Sequence, residues 1–192
     1  MRLLRRILIF VLITVILFAL AAGLMLVYVE NKQQEFQQQL TTLDQEFNQA
    51  RGEIPPQVNA ELFFPEQIGI LQREFPISNV YQQCRNPNND SEPCMLFNTY
   101  KSNGEVLYVS ISRIANKENL SDKVAKFCDS DDKTLLRTVS HVPYIYYTNC
   151  NNEGFYFFPP VLKGASWQNG NWFIYLNGRY DDIRQFIAAY PY

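Results

Sequence analysis

The feature that most limits how this chain can fold is an uninterrupted apolar stretch near its start. Ile7 to Val29 contains 23 residues and no charged side chain. As a helix this stretch is about 35 Å long, which is enough to cross a hydrocarbon core of about 30 Å. The sequence therefore predicts a membrane-spanning helix over residues 7–29.

The charges on either side of the apolar stretch predict its orientation. Three arginines precede it in a basic tail, residues 1–6, whereas Glu30 and Lys32 follow it and cancel. Positively charged flanks stay in the cytoplasm. We therefore expect a cytoplasmic N-terminus, one span of the inner or plasma membrane, and residues 30–192 in the periplasm or outside the cell.

Two alternatives to an anchor are a cleaved signal peptide and a buried helix of a soluble protein. Ala19-Leu20-Ala21 fits the pattern that precedes signal-peptide cleavage. However, the apolar run continues to Val29, whereas a cleavage site is normally followed by polar sequence. We therefore favour an uncleaved signal-anchor helix, with cleavage after Ala21 as the main alternative.

The number and position of the cysteines are consistent with export. Cys84, Cys94, Cys128 and Cys150 all follow the apolar stretch, and an even number of cysteines in an oxidising compartment is typical of disulfides. Cys84 and Cys94 flank a turn-rich loop, which favours the pairs Cys84–Cys94 and Cys128–Cys150. The two other connectivities, and four reduced buried thiols, are the alternatives.

Residues 30–51 are rich in Gln and carry an apolar seam. Its members recur at spacings of four and three residues: Phe36, Leu40, Leu43 and Phe47. This spacing predicts an amphipathic helix that extends the anchor as a stalk. The seam suits two arrangements equally well. It can form a short coiled coil, with a second copy or a partner helix, or it can fold against its own domain.

A linker separates the stalk from the globular part. Gly52 and the Pro55-Pro56 pair end the stalk helix, because proline cannot continue a helix. We predict a linker over residues 52–76, with a short helix after Pro65. The exported domain is then residues 77–192.

The first of three predicted hairpins is the clearest. Asn103-Gly104 lies between two apolar segments, residues 95–102 and 105–113. Asn-Gly is the preferred pair for a two-residue turn. This turn would place Tyr100 opposite Leu107, with Asn98 opposite Val109 and Leu96 opposite Ile111 on the same face.

Two further hairpins are predicted nearer the C-terminus. Around Asn169-Gly170, a two-residue turn would place Trp167 opposite Trp172 at a close cross-strand pair. The third hairpin would join residues 141–148 to residues 153–158.

An amphipathic helix is expected after each Asn-Gly hairpin, which indicates a ββα duplication. Asp181 or Asp182 is the expected cap of the second helix. The predicted fold class is α+β. It comprises the transmembrane helix, the short helical stalk, and an antiparallel sheet of about six strands with helices packed on one face.

The sequence carries no recognisable catalytic or metal-binding motif. His141 is the only histidine, and the acidic run Asp129–Asp132 does not match a calcium loop. The three N-terminal arginines are among 17 basic residues, so 14 basic and 19 acidic side chains remain in the exported part. This balance would repel nucleic acid. We predict no catalytic residue, no metal, no cofactor and no nucleic-acid partner.

The most informative feature of the exported domain is its aromatic content. Strand alternation puts Trp172 on one face of the last strand and Phe173 and Tyr175 on the other. We predict a candidate binding face made of Phe173, Tyr175, Tyr144 and Tyr146. The alternative is that residues 51–80 cover these side chains as a second core layer.

The chain combines an anchor and a stalk with a domain that lacks a recognisable cluster of catalytic polar residues. This combination predicts a non-catalytic binding or assembly module of the cell envelope. The competing class is a small envelope enzyme that uses carboxylates, for example on glycans. A cleft with two carboxylates about 5–10 Å apart would favour the enzyme.

Overall fold

The computed structural model describes residues 2–49, 51–55, 59–77, 81–84, 94–113, 134–139, 142–148 and 162–192. Three helices lie within these ranges: α1 (Arg2–Phe47), α2 (Ala60–Phe63) and α3 (Tyr180–Ala189). Nine strands lie within them: β1 (Gln67–Ile68), β2 (Leu71–Arg73), β3 (Tyr81–Cys84), β4 (Cys94–Ser102), β5 (Glu105–Arg113), β6 (Thr134–Val139), β7 (Val142–Thr148), β8 (Leu162–Asn169) and β9 (Trp172–Asn177).

All nine strands belong to one antiparallel sheet. The order across it is β1-β2-β4-β5-β9-β8-β7-β6, and β3 pairs with the first part of β4 while β2 pairs with its end. The predicted α+β class is therefore confirmed. The central pair, β5 and β9, comes from the two Asn-Gly hairpins. The helix of the first unit was expected within residues 116–128, which lie outside the described residues.

The β4–β5 hairpin has the predicted register. Tyr100 lies opposite Leu107, Asn98 opposite Val109, and Leu96 opposite Ile111. Asn103 and Gly104 have φ angles of 51° and 86°, as a type I′ turn requires.

The β8–β9 register differs from the prediction. Asn169 pairs with Trp172, and Trp167 pairs with Ile174, so the turn is Gly170-Asn171 and the two Trp residues are not directly opposed. The Asn169 side chain explains the shift, because it accepts a 3.0 Å hydrogen bond from the Ile54 amide and donates a 2.8 Å bond to the Gly52 carbonyl. These contacts keep Asn169 on the strand.

The stalk is part of the domain core. Its four seam residues are almost completely buried, with exposed fractions of 4% or less: Phe36, Leu40, Leu43 and Phe47. They pack with α3 and with the inward face of the sheet in one apolar cluster. Of the two arrangements that the seam allowed, the structure shows the stalk folded against its own domain.

The α1 and α3 helices lie side by side over the core. The predicted apolar face of α3 is buried: Ile183, Phe186, Ile187 and Tyr190. The expected Asp cap is wrong, because the helix begins after Arg179, which makes no side-chain capping bond. Asp181 and Asp182 lie instead in the first turn, where carboxylates favour the positive end of the helix dipole.

The linker does not form a helix after Pro65. The short helix is α2, which ends before that proline and is capped by Asn59, whose side-chain oxygen accepts a 3.1 Å bond from the Leu62 amide. Helix is disfavoured before proline. After Pro65 the chain forms the β1–β2 hairpin, where Gly69 has a φ of 59°.

Among the described residues, one helix is long and apolar enough to cross a membrane. It spans Arg5–Phe47 within α1, and its apolar window is entirely exposed. The described helix shows no interruption between the apolar stretch and the stalk.

Candidate functional site

The sheet has two distinct faces, and the helices cover only one of them in the described part of the chain. The first face is lined by Leu96, Tyr100, Val109, Ile174 and Trp167, all with 0% exposure. We call the opposite side, reached by the alternate residues of each strand, the second face.

The structure gives the strand pairing of the four residues in the predicted aromatic binding face. Tyr144 pairs with Trp167, and Tyr146 pairs with Ala165, which are first-face residues. Phe173 and Tyr175 flank Ile174 and therefore lie on the second face. A binding face shared by all four residues stays a prediction, because the side chains of Tyr144 and Tyr146 lie outside those that the structure describes.

Phe173 and Tyr175 also differ in exposure. Phe173 is only 2% exposed, so the second face is covered at its position, whereas Tyr175 is partly exposed. The expectation that residues 51–80 provide this cover is not met by their described apolar side chains. Phe63, Phe64, Ile68 and Leu71 belong instead to the cluster on the first face.

The exposed part of the second face is a compact set of apolar side chains from three central strands. We call it the aromatic patch: Met95, Phe97, Tyr108 and Tyr175. Met95 is 38% exposed and Tyr108 is 48% exposed. The rings of Phe97 and Tyr108 stack with centroids 6.1 Å apart. Tyr108 and Tyr175 are diagonal neighbours across β5 and β9.

Polar groups surround the aromatic patch without adding net charge. Lys101 on β4 forms an ion pair with Glu74, which also accepts a 2.7 Å hydrogen bond from the Thr99 hydroxyl. The hydrogen bonds from Lys101 and Thr99 hold the pKa of Glu74 below its usual value. On the other side, Asn177 donates a 3.2 Å hydrogen bond to the Tyr175 hydroxyl.

The aromatic patch and its polar margin can bind a ligand, but they contain no evident catalytic group. Aromatic rings supply contact area with few rotatable bonds, and the amide and hydroxyl groups at the margin can orient a ligand. Because the neighbouring lysine and glutamate neutralise each other, the surface does not select strongly for a charged ligand.

A second candidate is a polar groove of about 700 Å³ between the stalk and the nearby end of the sheet. Arg179 lies 3.9 Å from both Glu105 and Asp181 in this groove. All three side chains are more than half exposed. Water screens such carboxylates, so the groove lacks the desolvated acid and base that a glycan-cleaving site would need.

The part of the chain that the structure describes contains no candidate metal site. No group of three or more His, Cys, Asp or Glu side chains there could hold a metal ion. His141 and the acidic run Asp129–Asp132 lie outside the described residues.

Cys84 and Cys94 are direct partners in the β3–β4 ladder. Cys94 is buried and is not a free thiol. The predicted pair Cys84–Cys94 stays a prediction that this register favours, because opposed strand residues have Cα separations within the range of a disulfide. Cys128 and Cys150 lie outside the described residues.

Sequence reasoning missed Phe97 and Tyr108. The signal was present in the correctly predicted β4–β5 register, in which both residues alternate with core positions and must face away from Leu96 and Leu107.

No protein-family model, curated protein or solved structure matches this chain.

Proposed function

We propose that this protein is a single-pass, membrane-anchored, exported binding or assembly module of the cell envelope, and that the aromatic patch is its contact surface. The observation that carries the proposal is the exposure of Tyr108, stacked on Phe97, on the side of the sheet opposite the stalk. Exposed apolar side chains grouped on one face are a feature of interaction sites.

The continuity of α1 supports an uncleaved anchor. The helix runs from the basic tail through the apolar stretch into the stalk, and the stalk contributes Leu40 and Leu43 to the core. The positive-inside rule then puts the N-terminus in the cytoplasm and the domain in the periplasm or outside the cell.

An exported location is also consistent with disulfides. The pairs Cys84–Cys94 and Cys128–Cys150 are part of the proposal, and the first is favoured by its cross-strand register. Their role is to hold the domain together in an oxidising compartment.

The proposal is tested by co-purification from membranes with a matched pair of variants. Tyr108→Ser removes the most exposed ring of the aromatic patch, whereas Ile70→Ser changes a residue of similar exposure on the β1–β2 turn. We expect an envelope component, which can be a second copy of this chain, to be retained by the wild type and by Ile70→Ser and to be lost from Tyr108→Ser.

Retention that is equal in all three proteins would contradict the proposal, provided that protease resistance shows Tyr108→Ser to be folded. Glycan cleavage that is lost in Glu105→Gln or Asp181→Asn would instead establish the competing enzyme class.

A further inference from the structure

We propose that the aromatic patch is the contact between two copies of this chain that stand side by side in the membrane, related by a two-fold axis along the membrane normal. This inference rests on the proposed function and names the partner of the same surface.

The stalk sets the height of the domain above the membrane. Phe36, the first buried residue of the stalk, lies seven positions after Val29, which is about 10 Å along the helix. The stalk ends at Phe47, about 27 Å from Val29. Because these residues are part of the core, every copy holds its domain at the same height.

The direction in which the aromatic patch faces follows from the direction of the strands relative to the stalk. The turn end of β8 and β9 lies beside Gly52 and Ile54, beyond the end of the stalk. The other end of β9 lies beside Gln38 and Thr42 in the polar groove. The strands therefore run along the stalk, and the second face points sideways, parallel to the membrane and away from α1.

The aromatic patch can meet a copy of itself without charge repulsion. A two-fold contact joins the same patch on both subunits, so a charged patch would repel itself. The aromatic patch is neutral, because the nearby Lys101 is paired with Glu74. A second copy stands at the same height above the membrane, and its aromatic patch also faces sideways. The two neutral patches do not repel each other.

This arrangement keeps the two anchors apart. Each stalk lies on the outer side of its own sheet, and helices and sheets pack about 10 Å apart. The two membrane helices would thus be separated by about 30 Å. A dimer held together through the anchors, for example around Gly23, would instead bring those helices into contact.

The test uses the full chain in its own membrane, expressed as two copies with different epitope tags. The photo-crosslinker p-benzoylphenylalanine is placed at Tyr108, at Ile70 as a matched exposed control, or at Gly23 in the anchor. We expect an adduct that carries both tags from Tyr108, and none from Ile70 or Gly23. Adding Phe97→Ser should cause loss of the Tyr108 adduct while the protein stays resistant to protease.

Each other outcome overturns the inference in a recognisable way. An adduct between Tyr108 and a different protein or a glycan excludes the second copy and leaves the proposed function standing. A mixed-tag adduct from Gly23 alone places the contact in the membrane. Absence of any adduct from folded, correctly inserted protein removes both the inference and the contact surface on which it rests.

Discussion

The guanidinium of Arg51 donates a 2.7 Å hydrogen bond to the backbone oxygen of Ile187, which joins the end of the stalk to the end of α3. The same side chain donates to the backbone oxygens of Glu46 and Tyr190. It also lies 5.2 Å from the centre of the Phe47 ring. One cation therefore bridges backbone oxygens at the ends of two helices.

Replacing Arg51 should destabilise the domain strongly. Arg51→Met removes a charged donor from three backbone oxygens in partly buried hydrogen bonds, for which we expect a loss of about 2–4 kcal/mol in the free energy of unfolding. Arg51→Lys should recover only part of it, because an ammonium group lacks the planar fork. Urea unfolding of residues 30–192 measures both.

Arg184→Met is the matched control for the Arg51 variants. Arg184 forms an exposed ion pair with Glu46 at 3.3 Å, so its loss should cost about 0–1 kcal/mol. Equal losses for Arg51→Met and Arg184→Met would show that Arg51 does not join the helices.

The stalk should contribute to stability as a core element. Leu40 has no exposed surface, and Leu40→Ala should lower the free energy of unfolding by about 2–5 kcal/mol. Gln37→Ala, on the exposed side of the same helix, should change it by less than about 0.5 kcal/mol. The urea midpoints of the two variants check this. If both midpoints equal that of the wild type, the seam is not buried in the domain.

The sequence predicted those parts of the fold that depend on local chemistry. Asn103-Gly104 fixed the β4–β5 register because its conformation needs only a local turn. Asn169-Gly170 has the same two residues, but hydrogen bonds from Asn169 to the linker moved the turn by one residue. No local rule indicates such a contact between distant segments.

The residues that share a face in the candidate site could not all be predicted from the sequence of a single strand. Alternation correctly separated Trp172 from Phe173 and Tyr175. The face of Tyr144 and Tyr146 depends on how β7 pairs with β8, and a shift of one residue would have reversed it. The burial of Phe173 depends on tertiary packing that alternation cannot reveal.

Asp182 should lower the stability of the domain as the pH rises, which is the reverse of ordinary acid denaturation. It is 5% exposed, and burial raises its pKa above the ordinary value of 3.8, although the charge of Arg179 and a hydrogen bond from Ser102 oppose this. The folded state then binds more protons than the unfolded state between the two pKa values. Its contribution to stability is fully present below pH 3.8 and is lost as the pH rises through the folded pKa.

Asp182→Asn should therefore stabilise the domain at pH 7, with the gain shrinking towards pH 3. Asp181→Asn is the control for the helix dipole, because Asp181 lies in the same turn but is 66% exposed. Thermal unfolding of both variants across this pH range measures the difference. A gain for Asp182→Asn that does not change with pH would contradict the assignment.

The central claim is that anchor, stalk and domain form one body, and amide hydrogen exchange of the full chain in lipid nanodiscs tests it most directly. The amides of residues 40–47 should exchange only through global unfolding, with the same free energy as those of Leu107, Val109 and Ile111 in β5. Exchange of the stalk amides that is orders of magnitude faster than that of β5 would contradict the account. The stalk would then be a separate helix, and neither the height nor the direction of the aromatic patch would be fixed.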